Sequence, residues 1–236
     1  MTHPLDAYER IYVINLPDRV DRRVEMADQL DRIGLVLGSP RVRLFKAVRP
    51  SDGSGFPSRG AHGCFMSHLG VLREAVADRL DRVLILEDDL NFTDDFSERA
   101  PAVLARAASP DCAIFYGGYE LESLSASTAA TMEIPPDRVV RTTHFVGFDA
   151  TAAAAAVPYL EAMLRRPPGD PQGGPMHVDG AYSWLRRAYP ELRTWAANPP
   201  LGHQRASRTD IHALRWFDRT PLVRDAVDII RRVRNR

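Results

Sequence analysis

Apolar positions in this chain come in short runs, separated by charged stretches with helical spacing. Arg10-Ile-Tyr-Val-Ile-Asn-Leu16 is β-branched and aromatic and predicts a buried strand, which Pro17 and Asp18 stop. Val20, Met26, Leu30 and Ile33 then recur near helical spacing among many charges, predicting an amphipathic helix over 19–33 that Gly34 ends. A second strand is expected over 42–48, a loop rich in Gly, Ser and Pro over 50–59, and a helix over 64–80 with Gly63 at its start. Val83-Leu-Ile-Leu86 is the strongest strand signal and runs directly into Glu87-Asp88-Asp89. Further on we expect a helix over 101–108, strands over 112–116 and 139–148, and helices over 150–164 and 178–189. Residues 120–137, 166–176 and 195–210 read as irregular, and 221–234 as a last amphipathic helix. Strands that alternate with helices predict an α/β sandwich with a mostly parallel central sheet.

Composition narrows the classes. Among 236 residues, 44% are hydrophobic and 26% charged, a globular balance. Thirty-one basic side chains offset 31 acidic ones, which gives no support to a nucleic-acid partner. The polar N-terminus lacks the apolar stretch of a signal peptide, and no apolar run reaches the roughly 20 residues of a membrane span. With Cys64 and Cys112 read as two unpaired thiols, the expected compartment is the cytoplasm. Residues 1–218 read as one domain and 219–236 as a basic amphipathic helix. That helix could lie on an anionic membrane surface as a peripheral contact, or dock its apolar face on the domain with its arginines in water.

Five stretches carry candidate chemistry. Glu87, Asp88 and Asp89 end a buried strand, where three unpaired carboxylates are too costly to bury and must face solvent or a cation. Ligands of open α/β sheets bind beyond the carboxyl ends of the strands, and clustered oxygen ligands suit Mg²⁺ or Mn²⁺. If strand geometry persists, Glu87 and Asp89 project to one side and Asp88 to the other. The alternative is a solvated turn whose acids cap the next helix. Asn15, Arg19 and Arg22 follow a strand end and could meet a nucleotide, or belong to a surface helix with an Asp18–Arg22 pair. Gly63 would let a ligand approach a helix start that holds Ser67 and His68, with His68 otherwise a satisfied core histidine and Cys64 a packing residue. Asp179, after a Gly/Pro-rich loop, is an N-cap or a general base. His203 is a further metal ligand or diphosphate contact, or part of an ordinary loop.

In this order the stretches resemble glycosyltransferase family 25, which includes bacterial lipopolysaccharide galactosyltransferases and collagen galactosyltransferases. The matching pieces are the I-N-L strand with Arg22, G-C-x-x-S-H at Gly63–His68, L-E-D-D at Leu86–Asp89, V-D at Val178–Asp179, and S-x-T-D-I at Ser207–Ile211. The resemblance implies a GT-A-type fold, a divalent cation (Mn²⁺ or Mg²⁺), a UDP-sugar donor, most often UDP-galactose, and inversion at the anomeric carbon. The acceptor would be a glycan or lipid-linked glycan. By position Asp89 would be the chief metal ligand with His203 a further one, Glu87 would lie near the uridine ribose, and Asp179 would be the base. Asn15, Arg19, Arg22, Ser67, His68 and Asp88 would sit at the nucleotide. The family usually has glutamate where this chain has Ala61, so a pocket could differ there. Two other readings remain at this point: a metal-dependent phosphohydrolase, and a nucleotide-sugar-binding protein without activity.

Overall fold

The computed structural model describes residues 3–121 and 128–205. In chain order its elements are β1 (Arg10–Asn15), α1 (Val20–Arg32), β2 (Val42–Lys46), α2 (Arg59–Ala77), β3 (Arg82–Glu87), β4 (Leu90–Phe92) and α3 (Phe96–Ala107). They continue with β5 (Ile114–Glu120), β6 (Thr131–Ile134), β7 (Arg141–Asp149), α4 (Ala150–Leu164), α5 (Val178–Ala188), β8 (Thr194–Ala197) and β9 (Gly202–Gln204). Seven strands form one sheet in the order β2-β1-β3-β7-β5-β8-β6, and β4 pairs with β9 apart from it. The pairings of β1 with β2 and β3, and of β5 with β8, are parallel, whereas β7 and β6 run against their neighbours. Five of the seven strands therefore point one way, and the expected α/β sandwich with a mostly parallel sheet is what the chain adopts.

Strand alternation divides the core into two layers. Tyr12, Ile14, Val83 and Ile85 face the side covered by α2, α4 and α5. Ile11, Val13, Leu84 and Leu86 face the side covered by α1 and α3. Each strand of β1 and β3 is apolar on both faces because helices cover both. Among the described residues no helix is long and apolar enough to cross a membrane.

The elements differ from the sequence expectation in instructive places. Helix α2 begins five residues early, since Ser58 Oγ caps it by accepting the Ala61 amide at 3.0 Å. Gly63 is therefore inside the helix, and what approaches it is the Val48 carbonyl, which a Cβ would meet at 2.5 Å. Pro101, where a helix start is expected, lies within α3 instead. Strands β6, β8 and β9 occupy stretches expected to be irregular, and β4 follows the acidic turn. The last helix and the S-x-T-D-I stretch lie outside the described residues.

Candidate functional site at the end of the sheet

The acids mark the carboxyl end of β3, beside that of β1. Strand geometry holds through Glu87 and then fails, because Asp88 and Asp89 form a turn before β4. Glu87 continues the Val83–Ile85 face toward α2, where its Oε1 accepts the Thr143 hydroxyl at 2.6 Å and lies 3.5 Å from His68 Nε2. Asp88 goes the other way, to Asn15 Nδ2 at 2.7 Å and the Arg22 guanidinium at 2.9 Å. Asp89 joins Asp88 rather than Glu87: its Oδ2 accepts from Arg22 at 3.3 Å and from Gln204 Nε2 at 3.2 Å. The expectation that Glu87 and Asp89 share a side is thus corrected by the turn.

Helix α1 delivers Arg22. Its buried positions are Arg22, Met26 and Leu30, a stripe at four-residue spacing with the arginine at its head. Val20, expected in that stripe, is exposed. The Asp18–Arg22 pair is not formed; Asp18 instead takes Arg49 at 2.9 Å, and Arg22 serves the acids. Arg19 turns to Asp21, and its carbonyl accepts from Asn15 Nδ2 at 3.1 Å.

A cleft of about 130 Å³ opens here. Glu87, Asp88, Asp89 and Arg22 line it together with Arg49, Arg59, Gly60, Gly63, Cys64 and Ser67. Sequence reasoning missed Arg49 and Arg59, which sit in or beside a polar loop without periodicity. The N-terminal turn of α2, carrying Arg59 and Gly60, adds the positive end of a 19-residue helix. Ser67 is occupied structurally, donating to the Gly63 carbonyl at 2.6 Å and accepting from the Val48 amide at 2.8 Å. Ala61 is buried in the core of that helix turn, so the position of the family's usual glutamate presents only a methyl group.

The electrostatics are those of carboxylates crowded and buried at one strand end. Burial, with the charges of Glu87 and Asp88 added, pushes Asp89 up to about 7 despite Arg22. Burial also raises Asp88, against the pull of Arg22 and Asn15. For Glu87, burial is outweighed by the nearby His68 and by the Thr143 hydroxyl, and its pKa falls. Burial and then four carboxylates (Glu87, Asp179, Asp89 and Asp88) raise the Cys64 thiol well above its ordinary value, so it is no activated nucleophile. Cys64 and Cys112 are both free thiols. Among the described residues, Asn15 Oδ1, His68 Nε2, Asp89 Oδ1 and Thr142 Oγ1 are buried without a hydrogen-bond partner. Other orphan atoms are spread through the described residues, but of these four Asp89 Oδ1 belongs to a residue that lines the cleft.

Asp179 lies in the first turn of α5, whose N-cap is His177, so it is not the cap. Its Oδ2 accepts the Thr142 amide at 3.1 Å and its Oδ1 the Gly180 amide at 2.7 Å. Thr142 holds φ at 64°, a strained conformation for a β-branched residue. The next residue, Thr143, reaches Glu87, so the start of β7 ties Asp179 to the acidic strand end. His203 is exposed on β9 opposite Asn91, and its neighbour Gln204 is the residue that reaches Asp89.

The model of a family described as "Glycosyltransferase family 25 (LPS biosynthesis protein)" matches residues 8–129, just over half the chain. The chain belongs to glycosyltransferase family 25. The matched region contains Asn15, Arg22, the Cys64–His68 turn and all three acids. Among curated relatives, a "Glycosyltransferase 25 family member" of Drosophila melanogaster is 33% identical over 136 residues, covering 50% of this chain and 22% of that one. The human "Procollagen galactosyltransferase 2" is 28% identical over 108 residues, 39% of this chain and 17% of that one. The human "Inactive glycosyltransferase 25 family member 3" is 32% identical over 108 residues, 39% and 18% respectively. This family 25 chain thus spans about a fifth of the length of those relatives.

Proposed function

We propose that this chain moves a hexosyl group, galactose or a close relative, from a UDP-sugar to a hydroxyl of an acceptor glycan. The reaction depends on a divalent cation and inverts the anomeric carbon, and it serves lipopolysaccharide or another glycoconjugate at the cell surface. Family membership supports sugar transfer, and the name of the human procollagen relative supports galactose. The observation that carries the reading is the cleft itself. Three acids, one with a buried, unpartnered oxygen (Asp89 Oδ1), line it together with Arg49, Arg59 and a helix N-terminus.

These residues fit a hard cation, since the donor set is carboxylate oxygen and one such oxygen lacks a partner. Asp89 and Asp88 would hold Mn²⁺ or Mg²⁺, and such an ion, when bound, neutralises charge on the diphosphate. Gln204 supports that position from β9, and His203 beside it is exposed. Arg49 and Arg59 bind the diphosphate with planar, forked donors and stabilise the charge it gains as the leaving group. Asn15 and Glu87 orient the nucleoside, Glu87 being fixed by the Thr143 hydroxyl. Asp179, its two oxygens anchored by backbone amides, takes the proton of the acceptor hydroxyl, a contribution of about 10²–10⁴-fold. The hydroxyl oxygen bonds to the anomeric carbon on one face as the bond to the diphosphate oxygen breaks on the other.

The test is UDP release by the purified protein with Mn²⁺, UDP-hexoses and a panel of glycan and lipid-linked acceptors. We expect release that requires both metal and acceptor and falls by at least about 100-fold in Asp89→Asn. Phosphate release without acceptor would favour a phosphohydrolase. The relative named inactive and the methyl group at Ala61 favour one other reading, binding without turnover. That reading predicts a Mn²⁺-dependent rise in melting temperature with UDP and no transfer to any acceptor.

A further inference from the structure

We infer that Cys64, His68 and Glu87 form a second cation site, one for a thiophilic divalent ion such as Zn²⁺, beside the hard-cation position at Asp88 and Asp89. Cys64 and His68 are four residues apart on α2 and so lie on one face of it, opposite the end of β3. One ligand atom from each of the three residues lies within 4.8 Å of the others. His68 Nε2 and Glu87 Oε1 are 3.5 Å apart. Bonds of about 2.0–2.1 Å to a tetrahedral zinc space nitrogen and oxygen ligands by about 3.3 Å, so that edge needs almost no adjustment.

The histidine is set up as ligands are. It is fully buried, and its Nδ1 lies 3.1 Å from the hydroxyl of the equally buried Tyr182, which fixes the ring. Its Nε2 is buried without a hydrogen-bond partner and faces Glu87. Cys64 and Glu87 both line the cleft, so three protein ligands leave the fourth position open to it. Sulfur and imidazole select zinc over magnesium or manganese, which separates this site from the all-oxygen one next to it. The arriving ion displaces the thiol proton.

Cobalt tests the assignment without sugar transfer, because a cobalt–thiolate bond gives a charge-transfer band in the near ultraviolet. Titrating the full chain with Co²⁺ should produce that band with one equivalent bound, and Zn²⁺ should abolish it. The band should persist in Asp89→Asn and Cys112→Ala, vanish in Cys64→Ala, and require at least about tenfold more cobalt in His68→Gln. Asp89→Asn removes the site of the proposed transfer reaction, so the two ideas fail separately. Absence of the band in the native protein, its survival in Cys64→Ala, or its loss in Cys112→Ala would overturn the assignment. Should Cys64→Ala not fold, alkylation of Cys64 in the native chain decides: zinc should slow it at least about tenfold, and an unchanged rate rejects the site.

Discussion

Arg22 and Arg186 are both buried, near different ends of the sheet and in opposite company. Arg186 donates to the carbonyls of Arg138 at 2.8 Å and Pro135 at 2.6 Å, and to the Thr194 hydroxyl at 3.0 Å. Its acceptors are neutral and need nothing more. Arg22 instead meets two carboxylates, and around it Asn15 Oδ1 and Asp89 Oδ1 stay unpartnered. One arginine meets neutral acceptors; the other is held by two buried carboxylates beside unpartnered oxygens. The contrast separates a buried charge that holds the fold from one that belongs to a site.

The largest effect expected comes from removing each in turn. Arg186→Met should destabilise the chain by about 3–5 kcal/mol in urea unfolding, with or without Mn²⁺, because buried acceptors lose their donor. Arg22→Met should cost about as much without metal, by leaving two acids buried and uncompensated, but Mn²⁺ should restore at least half of it. Equal rescue of both variants, or of neither, would dissolve the distinction.

A second effect is in pH. The Asp89 carboxyl has its folded pKa raised to about 7, above its unfolded value. Its contribution to stability is therefore fully present below the unfolded pKa and is lost as pH rises through about 7. Metal-free protein should lose stability over that window by at most about 1.4 kcal/mol per pH unit from this group. The slope should flatten in Asp89→Asn and with saturating Mn²⁺. The smallest effect is at Thr142, where Thr142→Gly should relieve the strained φ and raise stability by about 0.5–1 kcal/mol. The same change should lower transfer a few-fold, as Asp179 is held less rigidly; a variant both stabler and equally active would detach Thr142 from the site.

The parts legible in the sequence were those whose signal is local. Val83–Leu86 reads as a buried strand from four consecutive residues, and the acids that follow are conspicuous because nothing apolar should end that way. Strands β6 and β8 were not legible, since their regularity comes from partners: Thr194–Ala196 becomes a strand by pairing with Ile114–Tyr116, 80 residues earlier. The β4–β9 pair likewise exists only between residues far apart in the chain. In the site, Asp89 and Arg22 were visible as residue types at a strand end. The partner of Asp18 was not, because a four-residue helical spacing suggested Arg22 while the folded loops bring Arg49 closer. Arg49 and Arg59 carried no pattern at all, and Cys64 looked like packing because its neighbour Glu87 is distant in sequence.

The bonds around the acidic turn also dictate when it can be complete. Asp88 waits for Asn15 across 73 residues and for Arg22 across 66, Glu87 for Thr143 across 56, and Asp89 for Gln204 across 115. Contacts of such separation form late, since each requires closing a long loop against chain entropy. During folding, three like charges are therefore brought together before their partners arrive. A refolding chain should recover its helical signal before it recovers a cleft able to bind, and a cation present from the start would shorten that interval.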